Sequence, residues 1–200
     1  MPVERRSQEE RSRSTRAALV STARRLFTER GYADVPAAEI VAAAGVTRGA
    51  LYHHFTDKQD LFRAVFEEVA QEVTRDVAAT VDEVPDTGAW MAVALSRYLD
   101  ICRRPDVIRI GIVDAPTVLG WQTWRELEAR HGLGLITRQL RAAADDGLLL
   151  VPDSVPVLAQ LVLSAVLEAA LVIAHADDPE AARASAEQAL LTMLSGLVRT

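Results

Sequence analysis

Apolar residues recur along most of this 200-residue chain at spacings of three and four, the interval that stacks side chains on one face of an α-helix. From residue 14 to residue 30, Leu19, Ala23, Leu26 and Phe27 follow that spacing, and Gly31 is a natural stop. Pro36 sits where a first helical turn tolerates proline and opens a short helix over 37–44, ended by Gly45. Thr47 caps a second short helix over 48–55. Thr56-Asp57-Lys58-Gln59 matches a capping box, and a long helix follows through Leu61, Val65, Val69 and Val73 toward Val84.

Pro85-Asp86-Thr87-Gly88 breaks the pattern. Beyond it the spacing predicts a fifth helix over 89–104, a sixth starting at Pro105 and terminated by Pro116 and Gly120, and a long seventh over 121–146. The seventh is expected to be interrupted at Gly132 and Gly134 and to end at Gly147. Residues 156–176 and 179–198 supply the eighth and ninth, joined by Asp177-Asp178. Residues 1–13 are polar and read as a flexible tail. With almost no strand signal, the expected class is all-α with about nine helices.

The stretch 155–176 is apolar enough to suggest a membrane span. Gln160, Ser164, Glu168 and His175 nevertheless fall on one helical stripe, which reads as a bundle helix rather than a lone span. Half the residues are hydrophobic and a quarter charged, a balance that supports a packed core and excludes general disorder. Cys102 is the single cysteine; it excludes an internal disulfide and a cysteine-built zinc site, and fits a reducing cytosol. The charged start is not a secretory signal, so the expected location is cytoplasmic, with no membrane partner.

The net charge of −6 argues by itself against a polyanionic partner, but it is unevenly placed. Residues 1–63 carry 11 basic against 8 acidic side chains, and residues 64–200 carry 11 against 20. A basic front on an acidic body suggests two tasks, one of them near polyanions. The front also holds the clearest local pattern, a short helix, a turn with Gly45 and a second short helix over 37–55. That is the helix-turn-helix layout, whose second helix enters the DNA major groove. Ile40, Ala44, Val46, Leu51 and Phe55 form its small core. Arg48, Tyr52 and His53 are left on other faces, and Gly49 and Ala50 are small enough for close backbone approach.

Residues 15–66 resemble the DNA-binding domain of the TetR family of bacterial transcriptional regulators. The resemblance rests on Gly31-Tyr32 and on the run Ala44-Gly45-Val46-Thr47-Arg48-Gly49-Ala50-Leu51-Tyr52-His53-His54-Phe55-Thr56-Asp57-Lys58-Gln59-Asp60-Leu61. It implies a DNA-binding head over 14–63, an effector-binding and dimerisation body over 64–200, and a homodimer on a palindromic operator, usually a repressor released by a small molecule. Carried over by position, Thr47, Arg48, Gly49, Ala50, Tyr52, His53, His54 and Lys58 face DNA. Arg48 is the candidate for guanine readout, with Tyr52 and Lys58 on phosphates. The chain departs from the family at Val35 and Pro36, where a side-chain cap and a phosphate contact are lost, and at Ala38, which makes no polar base contact. Arg5, Arg6, Arg11 and Arg13 form either a minor-groove arm or a solvated tail.

For the dimer interface the apolar spacing of the last two helices offers Leu163, Leu167, Leu171, Leu190, Met193, Leu194 and Leu197. For an effector pocket the body offers Trp90, Tyr98, Cys102, Trp121, Trp124, Arg125, Glu128, His131 and Glu168, the last an acid within an apolar run. Cys102 is read as a redox sensor or as a buried apolar residue. Phosphate loops, metal-ligand sets and nucleophile–base motifs are missing, so an enzyme, a cofactor and a metal are not expected. The alternatives are a constitutive architectural DNA binder without an effector, and a helical enzyme with an unrecognised site.

Overall fold

A computed structural model describes residues 8–84 and 89–197 as helices and short connections, with no strand among them. In chain order the α-helices are α1 (Gln8–Arg30), α2 (Ala37–Ala43), α3 (Arg48–His54), α4 (Lys58–Asp82), α5 (Trp90–Ile101), α6 (Ala115–Val118), α7 (Trp121–Asp145), α8 (Val155–Ala174) and α9 (Pro179–Ser195). A π-helix, Val107–Asp114, runs directly into α6. The protein is all-α.

Three boundaries differ from the sequence reading. Helix α1 begins at Gln8, so residues 8–13 are helical rather than a tail, with Glu9 and Glu10 in the first turn facing the positive end of the helix dipole. Arg5, Arg6 and the break at residues 85–88 lie outside the described residues. Helix α4 is capped by Asp57, one residue later than expected: its carboxylate accepts from Asp60 N, while Asp60 accepts from Thr56 N at 3.0 Å. Helix α7 runs through Gly132 and Gly134 without a break. A Cβ at Gly132 would stand 3.2 Å from Leu163 Cδ1, so this glycine lets α7 and α8 approach closely.

Pro116 does not end the sixth helix; it lies in the first turn of α6, directly after the π-helix. Proline has no N–H, so in the i→i−5 pattern of a π-helix the carbonyl of Gly111 has no backbone donor. The indole Nε1 of Trp124 supplies it, donating to Gly111 O at 3.1 Å. The segment ends only at Gly120, with φ +82°.

The core is continuous from head to body because α4 belongs to both. Leu61, Phe62, Val65 and Phe66 pack against Leu19, Ala23 and Phe27 of α1, and Val69, Val77 and Val81 continue into the body. Phe27, Tyr32 and Phe62 meet with ring centroids 5.2–5.6 Å apart at the top of this seam. The joint between α1 and the π-helix is polar. Arg24 donates to both Glu72 oxygens at 2.8 and 2.6 Å and to Asp106 at 2.5 Å, and Arg104 donates to Asp106 at 3.0 Å. Asp114 accepts from Tyr32 N at 2.8 Å.

Gly31 is required twice at this joint. Its φ is +82°, and a Cβ would overlap the Arg109 guanidinium, 1.9 Å from Nη2. Gly31→Ala is expected to destabilise the protein by about 1–2 kcal/mol, from the left-handed backbone, with the flexible Arg109 end moving aside. Urea unfolding with an unchanged m-value is the check; a loss under about 0.5 kcal/mol, the range of an ordinary surface substitution, contradicts it.

Candidate nucleic-acid interface and internal cavity

The helix-turn-helix is held by the small core its spacing predicts: Ile40, Leu51 and Phe55 are buried, with Ala44 and Val46 packed against them. Helix α2 starts at Pro36 without a side-chain cap, as the missing serine or threonine implies. Helix α3 is capped by Thr47, whose Oγ1 accepts from Ala50 N at 3.1 Å. Because Leu51 points inward, Arg48, Gly49, Tyr52 and His53 lie exposed, with Ala50 and His54 partly covered. The Arg48 guanidinium lies 5.5 Å from the Tyr52 ring centroid. His53 and His54 sit edge to face at 5.1 Å. Burial, then the charges of His53 and Arg16, hold His54 below the ordinary histidine range.

Lys58 departs from its expected role. Its Nζ donates to Tyr32 O at 2.8 Å and Val35 O at 3.1 Å and lies 3.9 Å from the Tyr32 ring centroid. Burial lowers its pKa, against the opposing charge of Asp34. The side chain therefore ties the α1–α2 turn to the start of α4, which leaves one of its three donors for the expected phosphate contact.

Within the body a cavity of about 130 Å³ opens between α4, α5, the π-helix, α7 and α8. Of the residues proposed from sequence, Trp90, Tyr98, Trp124 and Glu128 line it. The others do not. Trp121 stands 57% exposed at the start of α7, beside Trp124. Arg125 turns away to donate to Ser164 Oγ at 2.7 Å. Glu168 is exposed on the outer face of α8, which removes the expected burial cost of its charge. His131 is half-buried, its Nε2 without a partner among the described residues. Cys102 lies behind Tyr98 and is buried; burial pushes its thiol up to about 12, which favours the buried apolar reading. Sequence reasoning missed the α4 wall, Phe66 to Val81, since its apolar stripe is the same whether it faces side chains or a cavity.

Among the described residues, Glu128 is the sole ionisable carboxyl on the cavity wall. Burial pushes it up to about 7, against the Trp124 indole N–H and the charge of Arg125. It forms no ion pair among the described residues. Trp90 Nε1, also on the cavity wall, is buried without an acceptor among the described residues.

The proposed interface leucines require correction. Leu163, Leu167, Leu190 and Leu194 are buried within this subunit, because the α8 and α9 stripes they form pack on each other and on α7. Leu171 and Leu197 are partly covered, and Met193 is 63% exposed. The apolar residues left outside are Val157, Leu161, Val172 and Met193, on the outer faces of α8 and α9. Helix α8, extended to Pro152, is long and apolar enough to cross a membrane by length and composition.

Comparison with known proteins matches residues 19–65 to the bacterial regulatory proteins of the tetR family, and residues 89–197 to the tetracyclin repressor-like C-terminal domain. The chain is 30% identical over 131 residues to the transposon Tn10 TetC protein of Escherichia coli, covering 64% of this chain and 65% of that protein. It is 40% identical over 74 residues to the HTH-type transcriptional regulator CymR of Pseudomonas putida, covering 37% and 36%. These alignments span less than two thirds of either relative's length. Among solved structures, a TetR-family transcriptional regulator from Pectobacterium atrosepticum superposes with a TM-score of 0.86 at 34% identity, covering 98% of this chain and 99% of that one. RolR in complex with resorcinol shares the fold, with a TM-score of 0.68 at 21% identity over 93% of this chain and 90% of that one.

Glu128 makes stability depend on pH. Its pKa is raised on folding, so the stability it contributes is full below about 4.5 and is lost as pH rises through about 7. Glu128→Gln, neutral throughout, is expected to exceed the wild type by about 3 kcal/mol above pH 7 and to match it near pH 4.5. Denaturant unfolding across that range tests this; parallel pH profiles for the two proteins contradict it.

Proposed function

Since the chain belongs to the TetR family of bacterial regulatory proteins, we propose that it is a DNA-binding transcriptional repressor, released from a palindromic operator by a small, largely apolar effector. Residues 14–63 act as the DNA-binding head and residues 64–200 as the effector-binding and dimerisation body, with α4 shared between them. The observation that carries this reading is the placement of the π-helix. Val107, Gly111 and Ile112 line the cavity, while Arg109 and Asp114 of the same eight residues hold the backbone of Arg30 and Tyr32 at the end of α1. A molecule entering the cavity thus presses on the segment that orients the head.

On DNA, α3 enters the major groove with Thr47, Arg48, Gly49, Ala50, Tyr52, His53 and His54 toward the duplex. Arg48 reads a base edge, and Tyr52, with which it stacks, sets the register on phosphate. Two copies of the chain pair through the outer faces of α8 and α9, around Val157, Leu161, Val172 and Met193, with Glu168 and His175 among them. The pairing covers the apolar surface of α8 and sets two α3 helices about one DNA turn, or a multiple of it, apart. Release is a population shift: the effector favours a conformer in which the π-helix, α6 and α4 shift and the heads lose the operator spacing. The cavity favours this over an architectural protein without an effector, and the reading is of a binding protein, not an enzyme.

Operator selection from random DNA, followed by a screen for compounds that stabilise the protein and release that operator, tests the reading as a whole. Arg48→Ala is expected to reduce discrimination between cognate and random DNA by about 1–3 kcal/mol; equal loss on both contradicts base readout. Leu161→Glu is expected to give a folded monomer in sedimentation that no longer binds a two-half-site operator. A dimer persisting at micromolar concentration removes the proposed interface.

A further inference from the structure

The cavity wall has an asymmetric chemistry. Its lining includes no lysine, arginine or histidine among the described residues, one carboxyl, Glu128, and four aromatic side chains, Phe66, Trp90, Tyr98 and Trp124. Glu128 stands on α7 one turn after Trp124, whose indole N–H donates to Gly111 O and also favours the Glu128 carboxylate. Arg125, the nearest cation on the same helix, is held by Ser164. Tyr98, across the cavity on α5, is hydrogen-bonded to Cys102, and neither group carries positive charge. The carboxyl thus faces the cavity with no ion-pair partner among the described residues, Arg125 acting on it only from outside the cavity wall, a costly arrangement for its charged form.

An anionic molecule has nothing to pair with here and meets a carboxylate of like charge. A purely apolar molecule leaves that carboxyl unsatisfied. A cation meets both an opposite charge and aromatic faces, whose quadrupole attracts positive charge most strongly where water is excluded. The acidic body, with 11 basic against 20 acidic residues over 64–200, adds a long-range field of the same sign. Size limits the class further. At about 130 Å³ the cavity is close to the roughly 150 Å³ void that accepts benzene, so it takes one ring or a short chain.

We infer that the cavity selects a small, single-ring or short-chain apolar amine in its protonated form, with Glu128 as the counter-ion and the aromatic walls around the charged nitrogen. This rests on the effector reading above and names the chemical class of that effector.

The test uses the full chain without DNA, titrated calorimetrically near pH 8 with phenethylammonium, 2-phenylethanol and phenylacetate, in the wild type and in Glu128→Gln. The wild type is expected to bind the ammonium at least tenfold tighter than the alcohol and to give no signal with the carboxylate. Glu128→Gln is expected to lose at least tenfold toward the ammonium while holding its affinity for the alcohol, a pattern misfolding does not produce. Equal binding of ammonium and alcohol by the wild type, tighter binding of the carboxylate, an ammonium preference that survives Glu128→Gln, or no binding of any probe overturns the inference. Repeating the series with operator present separates the two readings. An ammonium that binds through Glu128 but leaves the operator bound defeats the effector role and not the charge selectivity. An alcohol that binds as well as the ammonium and releases the operator does the reverse.

Discussion

A missing hydrogen-bond donor at Pro116 organises the middle of this protein. The carbonyl of Gly111 must find another partner, and the partner available is the indole of Trp124, on the next long helix. That single bond joins the π-helix Val107–Asp114 to a fully buried tryptophan and so ties α7 to the segment before it. Trp124 also stands beside Glu128 on the cavity wall. Backbone satisfaction and the cavity wall therefore share one side chain.

The opposite side of the same segment is electrostatic. Arg24 bridges Glu72 and Asp106, and Arg104 adds a second cation. The Arg24 hydrogen bonds hold Glu72 below the ordinary carboxylate range despite burial. Burial works against Asp106 more strongly, yet Arg104 and Arg24 still hold it low. Partly buried, charge-assisted pairs of this kind have defined geometry and resist gradual deformation. The head is thus attached by ion pairs of defined geometry.

Most of the fold was legible in the sequence because its signals are local. Apolar spacing located the helices, Gly31, Gly45, Gly120 and Gly147 with positive φ marked stops, and Thr47 capped α3 as its residue type demands. The interface leucines were misread for a physical reason: α8 is apolar on two sides, and periodicity cannot say which side meets this chain's own α7 and which is left outside. The cavity residues were half legible. Trp90, Tyr98, Trp124 and Glu128 stand out by type, whereas Arg125, Trp121 and Glu168 share that type and point elsewhere, since direction is set by tertiary packing. Nothing in the residue pattern announced the π-helix, which depends on a long-range donor thirteen residues away.

The inward turn of Lys58 bears on how a DNA complex of this chain would respond to salt. Binding to a polyanion is driven largely by the release of condensed counterions, one for nearly every phosphate a cation neutralises. A lysine whose ammonium is held by the carbonyls of Tyr32 and Val35 keeps its charge but has one donor left for a phosphate. Arg24 and Arg30, engaged with Glu72 and Glu39, are spent inside the protein. The basic residues of the head thus overstate the number of ions it releases. Its hold on DNA depends less on ionic strength, and more on the shape and base contacts of α3, than its composition suggests.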